Sequence, residues 1–315
     1  MNWKKKGLIF SVDRNYEWGQ THASVPTVDK ITEDRLRVYF GTRDARNFSF
    51  TTFIEIEADN PSNVLYLHDK AVLVPGPIGA FDDCGAMPSW VVNHRGKKYL
   101  YYVGWNVRNT VPYHNSIGLA VSSDNGMTFQ KLSDGPIIDR NIAEPYFSAL
   151  PCVLVEDGLW RMWYLSCVKW SVFNNRPEPY YHIKYAESKD GVNWKRAEKV
   201  CIDFKDSREC AIARACVIND NKQYKMWYSY RNLDNYRIDK INSYRIGYAE
   251  SVNGVDWIRK DSETGINISP DGWDSQMIEY PFVCNYKGKR YMFYNGNGFG
   301  KSGIGYAILD EKGKE

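Results

Sequence analysis

Acidic residues recur at one height of a repeating pattern, and that placement defines the chemistry this chain could perform. Asp82, Glu144, Glu209 and Asp274 stand six or seven residues before four anchor positions, and Asp83 lies beside Asp82. A sixth carboxylate, Glu279, stands two residues before the last anchor, where the other repeats carry Ser24, Ala86, Ala149 and Ala213. Acids converging on one point can supply a pair, one protonated and one ionised, flanking a bond; cleavage of a glycosidic bond requires such a pair. Like charges held close raise the pKa of one member into the useful range. The plainer reading is that acids near strand starts bind backbone amides in turns. For one residue the two readings weigh equally, and for four together the first is favoured.

Basic and aromatic groups converge on the same height. Arg43, Trp105 and Arg231 follow the aromatic strands of their repeats, Arg214 immediately precedes its anchor, and His22 lies four residues before the first. Arginine holds carboxylate or phosphate bidentately, so Arg43, Arg214 and Arg231 would suit an anionic sugar, and ion pairing with the acids is the competing use. Trp105, Trp170, Trp273 and Tyr280 are the aromatics expected near a sugar. Trp163, Trp194, Trp227 and Trp257 recur with the repeat and read as core.

A segment recurring five times must position these groups. Its anchors are Pro26, Pro88, Pro151, Ala215 and Pro281, spaced by 62, 63, 64 and 66 residues. Such a period must be recognised before any other feature is read. After each anchor comes an aromatic strand, such as Met162-Trp163-Tyr164 or Met226-Trp227-Tyr228, then a strand of small and apolar residues, such as Ile246-Gly247-Tyr248-Ala249. Three of these run into Asp-Gly or Asn-Gly turns, strong hairpin signals. The turn Ser122-x-Asp124-x-Gly126-x-Thr128-Phe129 matches the Asp-box, a folding element. Three strands and a hairpin to a fourth make a propeller blade. The expected fold is all-β: a five-bladed β-propeller in one domain over 1–315, its ring closed by an N-terminal strand from Lys6–Val12, because closure removes an open sheet edge.

Composition narrows the classes. The net charge is only +3 and no basic run extends beyond Lys4-Lys5-Lys6, which argues against a nucleic-acid partner. Seven cysteines without a CxxC pair argue against a disulfide framework or a zinc site. The basic start is followed by an apolar stretch that is too short for a signal or a span and is broken by Asp13 and Arg14; a cytoplasmic chain with no membrane partner is expected. No cofactor or metal is called for, and the oligomeric state is not legible.

On the Met-Trp-Tyr, Ile-Gly-Tyr-Ala-Glu-Ser and Gly-Val-x-Trp pattern, the chain resembles the five-bladed propeller glycosidase superfamily over nearly its whole length. That superfamily includes arabinanases and β-xylosidases, invertases and levansucrases, and mannoside phosphorylases; the chain looks closest to a branch found with bacterial surface-polysaccharide genes. The resemblance implies a glycoside hydrolase acting on a carbohydrate, with Asp83, Glu144 (in Ala143-Glu144-Pro145) and Glu209 (in Arg208-Glu209-Cys210) as the acids of successive blades. Glu209 would be the proton donor and Asp83 its partner, with Glu144, Glu279 and Asp274 next in line. A structural calcium in the channel is compatible with it. The invertase motif Asn-Asp-Pro-Asn-Gly is absent, and the first repeat offers Gln20, Thr21 and His22 in place of an acid. Two other readings stay open: a phosphorylase or glycosyl transferase handling an anionic sugar, and a propeller that binds glycans without catalysis.

Overall fold

The computed structural model describes residues 1–13 and 16–310; Arg14 and the last residues of the expected 1–315 domain lie outside them. The described chain is all-β, with one short 3-10 turn at Asp261–Glu263 and no α-helix. After β1 (Trp3–Phe10), the strands fall into successive antiparallel units. The first holds β2 (Thr21–Thr32), β3 (Arg35–Arg43), β4 (Ser49–Glu57) and β5 (Val64–Leu67). The second holds β6 (Gly85–His94), β7 (Lys97–Val107), β8 (Tyr113–Ser122) and β9 (Gln130–Lys131). The third is β10 (Ser148–Glu156), β11 (Leu159–Phe173), β12 (Arg176–Ser188) and β13 (Lys195–Ile202). The fourth is β14 (Glu209–Asp220), β15 (Gln223–Asn232), β16 (Arg245–Ser251) and β17 (Ile258–Arg259). The last has β18 (Glu279–Tyr286), β19 (Lys289–Asn295) and β20 (Ile304–Leu309), and β1 pairs antiparallel with β20 from Trp3↔Leu309 to Phe10↔Ile304.

Single parallel bridges join the first unit to the second at Ser49↔Gly85 and the third to the fourth at Tyr181↔Ala211. Side chains also knit successive units. Tyr39 donates to the Gly126 carbonyl at 3.0 Å, Tyr101 to Gly191 at 2.8 Å and Trp163 to Gly254 at 2.7 Å. Each aromatic on a second strand thus satisfies the glycine turn of the following unit, which is why those turns recur. These glycines have φ of 79°, 75° and 77°, a region that disfavours any side chain. In the fourth unit Trp227 instead meets Trp3 edge-on at 6.0 Å. The first and last units also touch: Ala23 N–H donates to the Gly300 carbonyl at 2.9 Å, and Val25 N–H to Asn295 Oδ1 at 2.7 Å.

The innermost strands share a distortion that matters for the site. Val25, Leu150, Arg214 and Tyr280, each immediately before its anchor, have φ of 57°, 48°, 54° and 53°, and the ladder slips there. A bulge of this kind breaks strict alternation and re-aims side chains. Consecutive residues such as Ser24 and Val25, or Ala149 and Leu150, therefore both reach the same space.

Candidate functional site

That space is a cavity of about 370 Å³ to which all of the units contribute. The innermost strands supply small or apolar groups, among them Ser24, Met87, Ala149 and Ala213. Small residues are needed where several strands converge. Around them stand Arg43, Trp105 and Arg231 on second strands, Tyr236, Arg237, Tyr244 and Phe299 in the loops that follow, Tyr113 and Tyr181 on third strands, and Phe147 and Tyr280 at the starts of first strands. The lining is aromatic and cationic, and no aspartate or glutamate is part of it among the described residues.

The two arginines at strand ends differ in how they are held. Arg231, buried at the end of β15, has its guanidinium 3.5 Å from the centre of the Tyr236 ring and 5.5 Å from that of Tyr244. It donates to Cys210 Sγ at 2.9 Å and to the Asn232 carbonyl at 3.2 Å. Arg43, at the end of β3, has no side-chain hydrogen bond or ion pair among the described residues. Burial lowers its pKa, opposed by Tyr280 and Glu279. A partly buried guanidinium on a cavity wall with no side-chain hydrogen bond or ion pair leaves its donors available to a ligand. Arg237, the third, pairs with Glu178.

Glu279 is not part of the lining, but its carboxyl interacts electrostatically with the cavity-lining Arg231 and Arg43. It opens β18 at the register position that Ser24, Ala149 and Ala213 hold in their own units, and those three residues line the cavity. Glu279 is fully buried, and neither oxygen has a hydrogen-bond partner among the described residues. Burial pushes its pKa well above the usual carboxylate range, against the pull of Arg231 and Arg43. A protonated carboxyl beside two cations, in a water-poor site, can deliver a proton.

The other expected acids lie elsewhere, each consumed by its own unit. Asp82 accepts from Tyr102 at 3.0 Å and pairs with Lys131 at 2.5 Å. Glu144 takes Tyr164 and Ser166 at 2.9 Å, with Lys184 and Arg196 at 3.4 Å. Asp274 takes Tyr294 at 3.0 Å and Lys5 at 2.6 Å. Glu209 is held bidentately by Arg259 at 2.6 and 3.0 Å, while Tyr228 turns to Asp261. Asp83 caps a turn, accepting from Gly79 N–H at 3.0 Å. A buried carboxylate needs such partners, and these tie strands together behind the cavity. Neither Glu209 nor Asp83 is among the cavity-lining residues, so the structure does not bring the expected pair together there.

Arg214 is also redirected. It is fully buried below the cavity and donates to the carbonyls of Ser89 and Pro26, the latter at 3.0 Å, and to Thr27 Oγ1 at 3.3 Å. It pins the fourth unit to the first two and is not among the cavity-lining residues. Trp273 stacks on Tyr294 at 5.2 Å, away from the cavity, and Trp170 packs behind its wall against Tyr113 and Phe147. His22 does not line the cavity, but it neighbours Arg43. Burial first, then Arg43 and Lys301, lower its pKa to about 4. Of the predicted binders, Arg43, Trp105, Arg231 and Tyr280 line the cavity. Sequence reasoning missed Tyr113, Tyr181, Tyr236, Arg237 and Tyr244. The run Tyr236-Arg237 in the loop between β15 and β16 was the available signal. Among the described residues no group of three His, Cys, Asp or Glu side chains could hold a metal ion.

Comparison with known proteins places this architecture. A protein of Mycobacterium tuberculosis, itself uncharacterized, is 36% identical over 310 residues, covering 98% of this chain and 100% of its own. The chain belongs to that protein's family. No protein-family model matches it. Among solved structures, a glycosyl hydrolase from Bacteroides ovatus superposes with a TM-score of 0.74 at 16% identity, covering 100% of this chain and 95% of its own. A member of the mannoside phosphorylase family that contains glycoside hydrolases targeting beta-1,2 mannosidic linkages in Candida mannan has a TM-score of 0.71 at 16% identity, with the same coverage. The chain shares the fold of the propeller glycosidases.

Proposed function

We propose that this chain is a carbohydrate-active enzyme that makes or breaks the glycosidic bond of an anionic sugar in the central cavity. The observation that carries this reading is Glu279, buried and unpartnered beside the cavity-lining cations Arg43 and Arg231. We read the successive units as blades of a five-bladed propeller in one domain, with β1 closing the ring through its pairing with β20.

In this reading Arg43 and Arg231 hold the anion, and the tyrosine faces and Trp105 pack on the ring. Water attacks the anomeric carbon as its bond to the leaving oxygen breaks; Glu279 gives its proton to that oxygen, and the proton of the attacking water passes to solvent. Neutral Glu279 also does not compete with the substrate anion for the arginines. The fold of glycosidases fits this role, although fold alone does not fix chemistry.

A second reading differs only in the attacking group. Hydrolysis by two carboxylates needs a second acid close by, and no aspartate or glutamate is part of the cavity lining among the described residues. An anionic acceptor such as phosphate, held by Arg43, brings its own nucleophilic oxygen and needs one proton donor only. A single carboxyl favours this phosphorylase or transferase form.

The test is turnover of aryl glycosides of glucuronic, galacturonic and sialic acids beside neutral hexosides, with and without phosphate, products being read by mass spectrometry. Turnover confined to the acidic glycosides and lost in Glu279→Gln is the expected result. Phosphate dependence would select the second reading. Equal turnover of neutral glycosides, or full activity in Glu279→Gln, would overturn the proposal. Binding without product in every case would leave a glycan-binding propeller.

A further inference from the structure

A second hollow of about 330 Å³ lies beside the central cavity, and Tyr236 and Arg237 border both. Its other side is the tip of the β11–β12 hairpin, with Phe173, Asn174 and Arg176. This hairpin is unusual in the chain. β11 runs for 15 residues, whereas the equivalent strands β3, β7, β15 and β19 run for 9, 11, 10 and 7. The extra length carries the strand past Leu165, which lines the cavity, to a tip beyond it. The tip is tight: Phe173 pairs with Arg176 across Asn174 and Asn175, whose φ of 49° and 60° suit a two-residue primed turn.

The shared wall is held from both sides. Two guanidinium groups approach the Tyr236 ring, Arg231 at 3.5 Å from the cavity and Arg237 at 4.3 Å. The Tyr236 hydroxyl donates to Glu178 at 3.1 Å, and Arg237 pairs with the same buried carboxylate. Glu178 belongs to β12, so the third unit fixes a wall that the loop of the fourth unit supplies. The hollow beyond it combines amide and guanidinium donors (Asn174, Asn235, Arg176) with apolar faces (Phe173, Leu233). A pyranose ring presents the matching surfaces: hydroxyl groups round its edge and C–H groups on its faces. Sites for such ligands are concave, largely apolar and fitted with a few placed polar groups.

We propose that this hollow is a second sugar subsite, taking the residue next to the anionic sugar in the central cavity. The substrate class is then an acidic oligosaccharide, with Tyr236 standing between two consecutive rings. The inference rests on the reading of the central cavity as an anionic-sugar site, and the experiment separates the two.

Calorimetric titration with mono-, di- and trisaccharides of galacturonic acid, of glucuronic-acid-containing glycans and of sialic acid tests it. Wild-type protein is compared with Phe173→Ala/Arg176→Ala, which alters half-buried and exposed side chains of the tip, and with Arg43→Ala. In at least one series the disaccharide should bind about tenfold more tightly than the monosaccharide, equivalent to about 1.4 kcal/mol. The hairpin variant should lose that gain and keep monosaccharide affinity, while Arg43→Ala weakens both lengths together. No gain with length in any series, or a gain untouched by the hairpin variant, overturns the second subsite even where Arg43→Ala weakens binding. A length gain that the hairpin variant removes, with binding indifferent to Arg43→Ala, supports the subsite and sinks the anionic-sugar reading.

Discussion

Tyr102 donates a hydrogen bond to Asp82 at 3.0 Å, and Lys131 closes on the same carboxylate oxygen. The pairing recurs as Tyr164 with Glu144 and Tyr294 with Asp274, the acid preceding its tyrosine by twenty residues each time. Burial, followed by the adjoining carboxylate, raises the pKa of all three tyrosines, so each remains a donor. These acids bind the first strand's approach loop to the second strand.

Replacing Asp82 by Ala strands the mostly buried Lys131 ammonium and the Tyr102 hydroxyl without an acceptor. Breaking a buried pair in this way costs about 3 kcal/mol. Denaturant unfolding should show a lower midpoint at an unchanged slope, while affinity for the acidic sugar stays at the wild-type value. A stable variant with weakened binding would return Asp82 to the site.

Arg214 offers a sharper case, because it has no acid partner among the described residues. Its donors satisfy carbonyls on β6 and β2 from a position on β14, and its guanidinium lies 5.5 Å from the Trp90 ring. Arg214→Lys keeps the charge and loses the fork that reaches acceptors on two units, so it should not rescue Arg214→Ala. Both variants should melt well below wild type, and similar melting of Arg214→Lys and wild type would refute the pin.

The repeat could be read from sequence because its carriers are local: Pro-x-Val anchors, Trp or Tyr on the second strand and glycine turns all recur at fixed offsets. The site was harder to read, for two physical reasons. First, the acids show in sequence, but the cations that consume them stand far along the chain, on the fourth strand of each unit (Lys131 for Asp82, Arg196 for Glu144, Arg259 for Glu209) or on β1 (Lys5 for Asp274), so the pairing shows only in the folded unit. Second, the loop carrying Tyr236 and Arg237 follows no period, so only tertiary packing brings it over Arg231. Glu279 was legible because it breaks the repeat, standing as a carboxylate where other units place Ser or Ala. Arg214 was misread because the bulge before its anchor redirects the side chain.

His22 gives the fold a pH signature. Its pKa falls from 6.5 to about 4, first through burial and then through Arg43 and Lys301. Between those values the unfolded chain takes up a proton that the folded chain refuses, so acidification favours unfolding. The contribution is complete above pH 6.5 and is lost as the pH falls toward 4. Stability measured across that window should rise less steeply in His22→Gln than in wild type. Parallel curves would mean that His22 titrates as it does in the unfolded chain.

Glu279 acts with the opposite sign and links stability to chemistry. Its folded pKa lies above the ordinary 4.5 because burial disfavours the charged form. The unfolded chain therefore releases a proton that the folded chain keeps, and stability is lost as the pH rises above 4.5. A Gln at 279 carries no such charge and keeps nearly the same shape. Glu279→Gln should thus unfold at a higher temperature than wild type at neutral pH, with the gap closing as the pH falls below 4.5. Turnover should fall by orders of magnitude in the same variant, since the proton donor is gone. Stabilisation paired with lost activity is the mark of a site that holds its carboxyl at a cost. A variant less stable at neutral pH, and equally so at low pH, would instead make Glu279 a structural residue whose packing a Gln cannot reproduce.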